Sequence, residues 1–149
     1  MKKTIELLNK ALADKLTAIH QYMYFHFHFN DHGLSLMADL FKKTAIEEMK
    51  HLEKLAERIL FLKGDIDLAS SGKIKKITKL EDMLSIAQEM EIESALRYNE
   101  YLKECTLKSD SISRQLFEEF VIDEERHADR FGAEIKSIQD MEDSYLAIC

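Results

Sequence analysis

The stretch Ile46-Glu47-Glu48-Met49-Lys50-His51 sets a glutamate and a histidine three residues apart. It returns as Ile122-Asp123-Glu124-Glu125-Arg126-His127, with His127 standing 76 residues after His51. On an α-helix, residues three apart lie within about 60° of each other and one turn along the axis. Glu48 and His51 can therefore aim at one point, and so can Glu124 and His127. With 17 glutamates and 6 histidines in the chain, chance supplies roughly 0.7 of one such pair, so two pairs alone are a weak signal. The rest of the sequence strengthens it. At the same offset, and without a gap, Leu8 matches Leu84, Ala11 Ala87, Tyr22 Tyr98, Leu40 Leu116, Phe41 Phe117, Ile46 Ile122 and Ile59 Ile135. These mostly apolar identities read as a core face shared by two copies of one unit, a pseudo-two-fold pair of helical hairpins.

Helical periodicity marks four long segments. The first spans about Thr4 to His32 and ends at Gly33; the second spans about Ser35 to Lys63 and ends at Gly64. Glycine after each suits a C′ position, where a positive φ costs it little. The third runs from near Glu81 to about Leu107, and Ser109, Asp110 and Ser111 offer an N-cap for the fourth, which continues to about Gln139. The tail MEDSYLAIC has room for one or two more turns as a short C-terminal helix. Segments of about 28 residues are about 42 Å long. Short links make the first and second, and the third and fourth, antiparallel neighbours. The polar segment from Gly64 to Lys79 is long enough to run the length of a bundle. The expectation is an all-α chain of 149 residues in one domain, a four-helix bundle with one long crossover.

Composition agrees. There is no proline and there are four glycines, so few helix breakers. A net charge of −7 disfavours nucleic acid and anionic membranes and favours cations. Two cysteines, Cys105 and Cys149, are too few for a disulfide framework and fit a reducing cytosol. MKKTIELLNK has the charge of a signal n-region, but no continuous apolar run follows it, so no targeting or membrane segment is expected.

Two Glu–His pairs facing across a bundle make a bridging metal site, which one further Glu from each remaining helix usually completes. Glu91 is the candidate on the third helix, with Tyr98 two turns along the same face and able to hydrogen-bond a ligand carboxylate. Glu89 and Glu93 are rotated away from that face. The offset from Glu91 leads to Lys15, and Tyr22 follows Lys15 as Tyr98 follows Glu91. Asp14, turned about 100° off the face, is no substitute. Three carboxylates and one ammonium leave two negative charges, matched by a single divalent ion. Lys15 is expected to occupy or guard one metal position; the alternative is that it swings its stem outward and leaves a weaker, more open site. The aromatic run YMYFHFHF holds His26 and His28, but His26 sits about 16 Å from Lys15, too far to share its metal.

The segments LNKALADKLTAIHQY, IEEMKHLEKLAERILFLKG and DEERHADRF together resemble the bacterioferritins, the haem-containing branch of the ferritins, over nearly the whole chain. The resemblance implies a ferritin-like bundle and a ferroxidase with di-iron ligands at Glu48, His51, Glu91, Glu124 and His127, and Tyr22 as the nearby tyrosine. The family's remaining glutamate is replaced by Lys15, so iron can be mono- or di-nuclear and oxidation slowed. Met49 matches the family's haem ligand, implying haem b held between two chains. Geometry agrees that Met49 points out of the core, about 100° from Glu48. A histidine and an aspartate that line the family's inner cavity are Lys43 and Glu47 here. The implied partner is a second copy of the chain, building from dimers to a cytoplasmic 24-subunit cage that stores iron, with another ferritin subunit a possible component. A haem-bearing subunit with impaired oxidation is the alternative function.

Overall fold

In the computed structural model the helices are α1 (Lys2–Asp31), α2 (Ser35–Phe61), α3 (Leu80–Leu107) and α4 (Ser111–Ile148). The structure describes residues 1–148, with side chains described up to residue 142; Cys149 lies outside the described residues. The tail does not form a separate short helix. It prolongs α4 unbroken to Ile148, because no residue between Gln139 and Ile148 breaks a helix.

The four segments stand where the periodicity puts them, and their ends differ in informative ways. Gly33 closes α1 with φ +75°, as its position after the last apolar residue requires. After α2 the positive φ falls on Lys63, at 67°, and not on Gly64. Gly64 is needed for space: a Cβ there would come within 2.7 Å of Ile5 Cγ2 and 3.2 Å of Ile59 Cγ2. At the start of α4, Asp110 is the cap among the three candidates. Its carboxylate accepts from the Ser113 amide at 3.0 Å, the Ser113 hydroxyl at 2.6 Å and the Arg58 guanidinium at 2.7 Å.

α1 packs along α2, and α3 along α4, while the two hairpins meet through α1 on α3 and α2 on α4. The crossover climbs beside α1 in register. Asn9 brackets Asp65 and Asp67, Thr17 meets Ser71, and Gln21 exchanges two hydrogen bonds with Lys75. It thus delivers the chain to the far end of α1, and α3 descends antiparallel to it.

Two apolar cores result. One gathers Tyr22, Phe25, Phe29, Phe41, Leu84 and Phe131; the other gathers Leu8, Leu12, Leu55, Tyr98, Phe117 and Phe120. Phe41 sits centrally in the first, with ring centroids of Phe25, Phe29 and Phe131 between 5.2 and 5.4 Å away. The aromatic run of α1 serves this packing. Phe25 and Phe29 are fully buried, His26 Nδ1 bonds the Ala38 carbonyl at 2.7 Å across the hairpin, and His28 packs at a tilt against Tyr24. Ile46 and Ile122 depart from the shared core face: both are exposed, on the outer side of their helices. Among the described residues no helix is long and apolar enough to cross a membrane.

Candidate metal centre

Between the two cores lies a polar layer. Lys15, Glu48, His51, Glu91, Glu124 and His127 are all buried in it, one or two from each helix. Glu89 and Glu93 face solvent, and Asp14 turns outward to an ion pair with Arg97 at 2.8 Å. A buried charge is costly unless it is paired, and the pairing here is asymmetric.

Lys15 does not swing outward; it is 1% exposed. Its ammonium has three N–H bonds and finds three acceptors: Glu48 Oε2 at 2.9 Å, His51 Nδ1 at 2.9 Å and Glu124 Oε1 at 3.3 Å. The rings of Tyr98 and Phe120 cover it, their centroids at 4.7 and 4.8 Å. Burial works against its charge, but Glu124 and Glu48 outweigh that and hold its pKa well above the ordinary lysine value. Lysine can only donate here, so His51 Nδ1 must accept. The His51 proton then sits on Nε2, which donates to Asp123 Oδ2 at 2.8 Å. Burial and the Lys15 charge push the His51 pKa down to about 4, in keeping with a neutral ring. The nitrogen that would face an ion is therefore already engaged.

The other half is open. Glu48, Glu91, Glu124 and His127 each bring a ligand atom to within 4.8 Å of the others. Three buried atoms in this group have no hydrogen-bond partner: Glu48 Oε1, Glu91 Oε2 and His127 Nδ1. His127 Nδ1 points at Glu48 Oε1 at 3.4 Å and Glu91 Oε1 at 3.5 Å. Burial would lower the His127 pKa, but these carboxylates overcome it and raise it to about 10. Of the acids, Glu48 is held well below the usual range by Lys15 in spite of burial, and Glu124 is pushed well above it by burial and its acidic neighbours. Orphaned carboxylate oxygens beside an imidazole nitrogen fit a divalent cation with mixed oxygen and nitrogen preference. Metal binding at such a group displaces the imidazole proton.

The tyrosines divide the labour differently from the expectation. Tyr22 donates to Glu91 Oε1 at 2.6 Å, steadying that carboxylate. Tyr98, its counterpart, presents its ring face to the ammonium, because the carboxylate it would have bonded is replaced by Lys15. The reading of the sequence missed Asp123, and it placed Glu47 only on the inner surface. Each precedes its glutamate by one residue and holds the histidine of the opposite helix: Asp123 bonds His51, and Glu47 accepts from His127 Nε2 while pairing with Arg126 at 2.7 Å. The repeated acidic pair in EEMKH and DEERH was the available signal. Lys43 is exposed, and Met49 is 47% exposed on the outer side of α2.

A family model described as a ferritin-like domain matches residues 5–141. Bacterioferritin of Desulfovibrio desulfuricans is 34% identical over 145 residues, covering 97% of this chain and 81% of that protein. Bacterioferritin of Rhodobacter capsulatus is 36% identical over 134 residues, covering 89% and 83%. The structure of the Rhodobacter capsulatus protein, with a metal-free dinuclear site and haem iron in a crystallographic special position, superposes with a TM-score of 0.91 at 33% identity, over 94% of this chain and 88% of that one. A duplicated helical hairpin, a buried Glu–His layer between two cores and these similarities agree, and the chain belongs to the ferritin-like family, among the bacterioferritins.

Proposed function

We propose that the chain is a subunit of a bacterioferritin-like iron-storage assembly whose bundle takes up one Fe²⁺ where a dinuclear site would take two. The ion is held by Glu48, Glu91, Glu124 and His127, and the Lys15 ammonium fills the position on the His51 side. The observation that carries this reading is the Lys15 ammonium seated among Glu48, His51 and Glu124, with orphaned ligand atoms only on the other side. Charge agrees, since the three carboxylates and the ammonium match one divalent ion.

The consequence for chemistry is electronic. Reducing dioxygen to hydrogen peroxide takes two electrons, and one Fe²⁺ supplies one. A second iron must then arrive, or electrons must leave singly, so oxidation is slow relative to a paired site. The fixed positive charge of Lys15 adds to this, because it disfavours Fe³⁺ more than Fe²⁺. Glu91, steadied by Tyr22, and His127, steadied by Glu47, keep their ligand atoms aimed inward through these steps.

Anaerobic Fe²⁺ titration of chelator-treated protein tests this: binding saturates at one ion per chain, and at two in Lys15→Glu, which also consumes oxygen faster once loaded. Two ions per chain in the unaltered protein, or an unchanged oxidation rate in loaded Lys15→Glu, would sink the proposal.

A second reading rests on Met49, an exposed thioether beside exposed Ile46 on α2. There the chain is a haem-bearing, oxidation-impaired subunit, with Met49 residues of two copies ligating haem b. A Soret band that disappears in Met49→Leu while the assembly keeps its mass supports it; colourless protein from haem-replete cells refutes it.

A further inference from the structure

The two acids that hold the histidines are themselves held by one side chain. Arg126 Nη2 donates to Glu47 Oε2 at 2.7 Å and to Asp123 Oδ1 at 3.4 Å. Glu47 Oε2 is the same oxygen that accepts from His127 Nε2, and the other oxygen of Asp123 accepts from His51 Nε2 at 2.8 Å. Lys15 in turn donates to His51 Nδ1 at 2.9 Å. These links form one unbroken polar chain: Lys15, His51, Asp123, Arg126, Glu47, His127. It starts at the ammonium in one half of the centre and ends at the imidazole that faces the other half. In it Arg126 joins Asp123 of α4 to Glu47 of α2.

The repeat shows that this link is not a by-product of the hairpin. The 76-residue offset carries Arg126 to Lys50, so a basic residue precedes each histidine. Lys50 is exposed and makes no ion pair among the described residues. Arg126 reaches both acids, and its Nη2 carries two N–H bonds, one for each. Stability is not what the link supplies. Arg126 is 57% exposed and both acids are half-buried, and ion pairs this close to solvent contribute little. What it supplies is direction. Glu47 has solvent on one side, and its carboxylate can turn away from His127 unless something fixes it. A histidine ligand is aimed by the acid bonded to its other nitrogen.

We infer that Arg126, anchored on Asp123, is a positioning residue for the cation site: it fixes the Glu47 carboxylate, and through it the direction in which His127 Nδ1 meets a divalent first-row cation. This rests on the reading of the cluster as a cation site. Arg126 donates to no atom that would ligate the ion. The sign of its effect separates a brace from a bare charge. A positive charge beside a cation site repels the ion, so deleting a bare charge tightens binding, whereas deleting a brace loosens it.

Calorimetric titration of the chelator-treated, full-length protein with Co²⁺ at about 0.15 M salt tests the inference. Arg126→Met should raise Kd about tenfold while moving the unfolding midpoint by no more than about 4 °C. Arg126→Lys, whose ammonium also has a proton for each acid, should return Kd to within about threefold of the unaltered value. In a Glu47→Ala background, Arg126→Met should loosen binding by no more than about twofold further, because Arg126 acts through that carboxylate. An unchanged or lower Kd in Arg126→Met overturns the inference. So does Arg126→Lys binding as weakly as Arg126→Met, or a full tenfold loss in the Glu47→Ala background. Unaltered protein that binds no Co²⁺ refutes the cation-site reading, and this inference falls with it; unaltered protein that binds Co²⁺ no more tightly than Arg126→Met refutes the role of Arg126 alone.

Discussion

Lys15→Met keeps an unbranched stem of similar length and removes the charge. In the native chain the ammonium satisfies Glu48 at 2.9 Å, His51 at 2.9 Å and Glu124 at 3.3 Å, beneath two aromatic rings. Its loss leaves Glu48 and Glu124, each 1% exposed, without a counter-charge on that side. Removing one partner of a buried ionic cluster costs about 3–5 kcal/mol. For a chain of this length that corresponds to a fall of roughly 6–20 °C in the unfolding midpoint. The sign of the pH dependence follows from Glu48. Its native pKa is depressed, so it contributes stability above its unfolded value, about 4.3, and that stability is lost as pH falls through the native value. Without Lys15 the same buried carboxylate prefers its proton, so the variant suffers most at neutral pH and least in acid. The gap between native and variant should therefore narrow from pH 7 to pH 4. Guanidinium unfolding of chelator-treated protein, read by far-ultraviolet circular dichroism at several pH values, measures it. Adding Glu124→Gln to Lys15→Met should recover part of the loss, since it replaces a buried acid that has lost its ammonium partner with a neutral amide. A Lys15→Met protein as stable as the native one at pH 7 refutes the reasoning, because it would mean that the ammonium is not what neutralises the acids.

Three further outcomes test other parts of the structure. Tyr22→Phe removes the 2.6 Å hydrogen bond to Glu91; it should cost about 1.5–3 kcal/mol of stability in chelated protein and weaken Co²⁺ binding by about 10-fold or more in calorimetry. Asp110→Ala removes the cap of α4 and strands Arg58, lowering stability by about 1–2 kcal/mol at pH 7. Because hydrogen bonds from Ser113 and Arg58 hold the Asp110 pKa below its ordinary value against burial, that difference should shrink as pH drops below about 4. Gly64→Ala forces a Cβ to within 2.7 Å of Ile5 and should cost about 1–3 kcal/mol. Gly132→Ala meets only the end of the Gln88 side chain, which can move, and should cost much less by the same denaturant assay.

Much of this protein is decided by the sequence alone. Four periodic segments without proline can only be long helices, short links can only pair them into hairpins, and an ungapped 76-residue repeat requires the hairpins to be alike. Helical spacing is a local property, so it also placed Glu48 with His51 and Glu124 with His127, and the repeat exposed Lys15 opposite Glu91. Partnerships between helices are not local. That Asp123 holds His51 and Glu47 holds His127, that Tyr22 bonds Glu91 while Tyr98 covers the ammonium, and that Ile46 and Ile122 face outward all depend on how the hairpins rotate and settle against each other. The same holds at the turns, where sequence offered Gly64 for a positive φ and packing gave it to Lys63. Nor does spacing reveal whether a lysine beside three acids points in or out. That was settled by packing, which seats the ammonium under Tyr98 and Phe120 with a buried acceptor for each of its three protons.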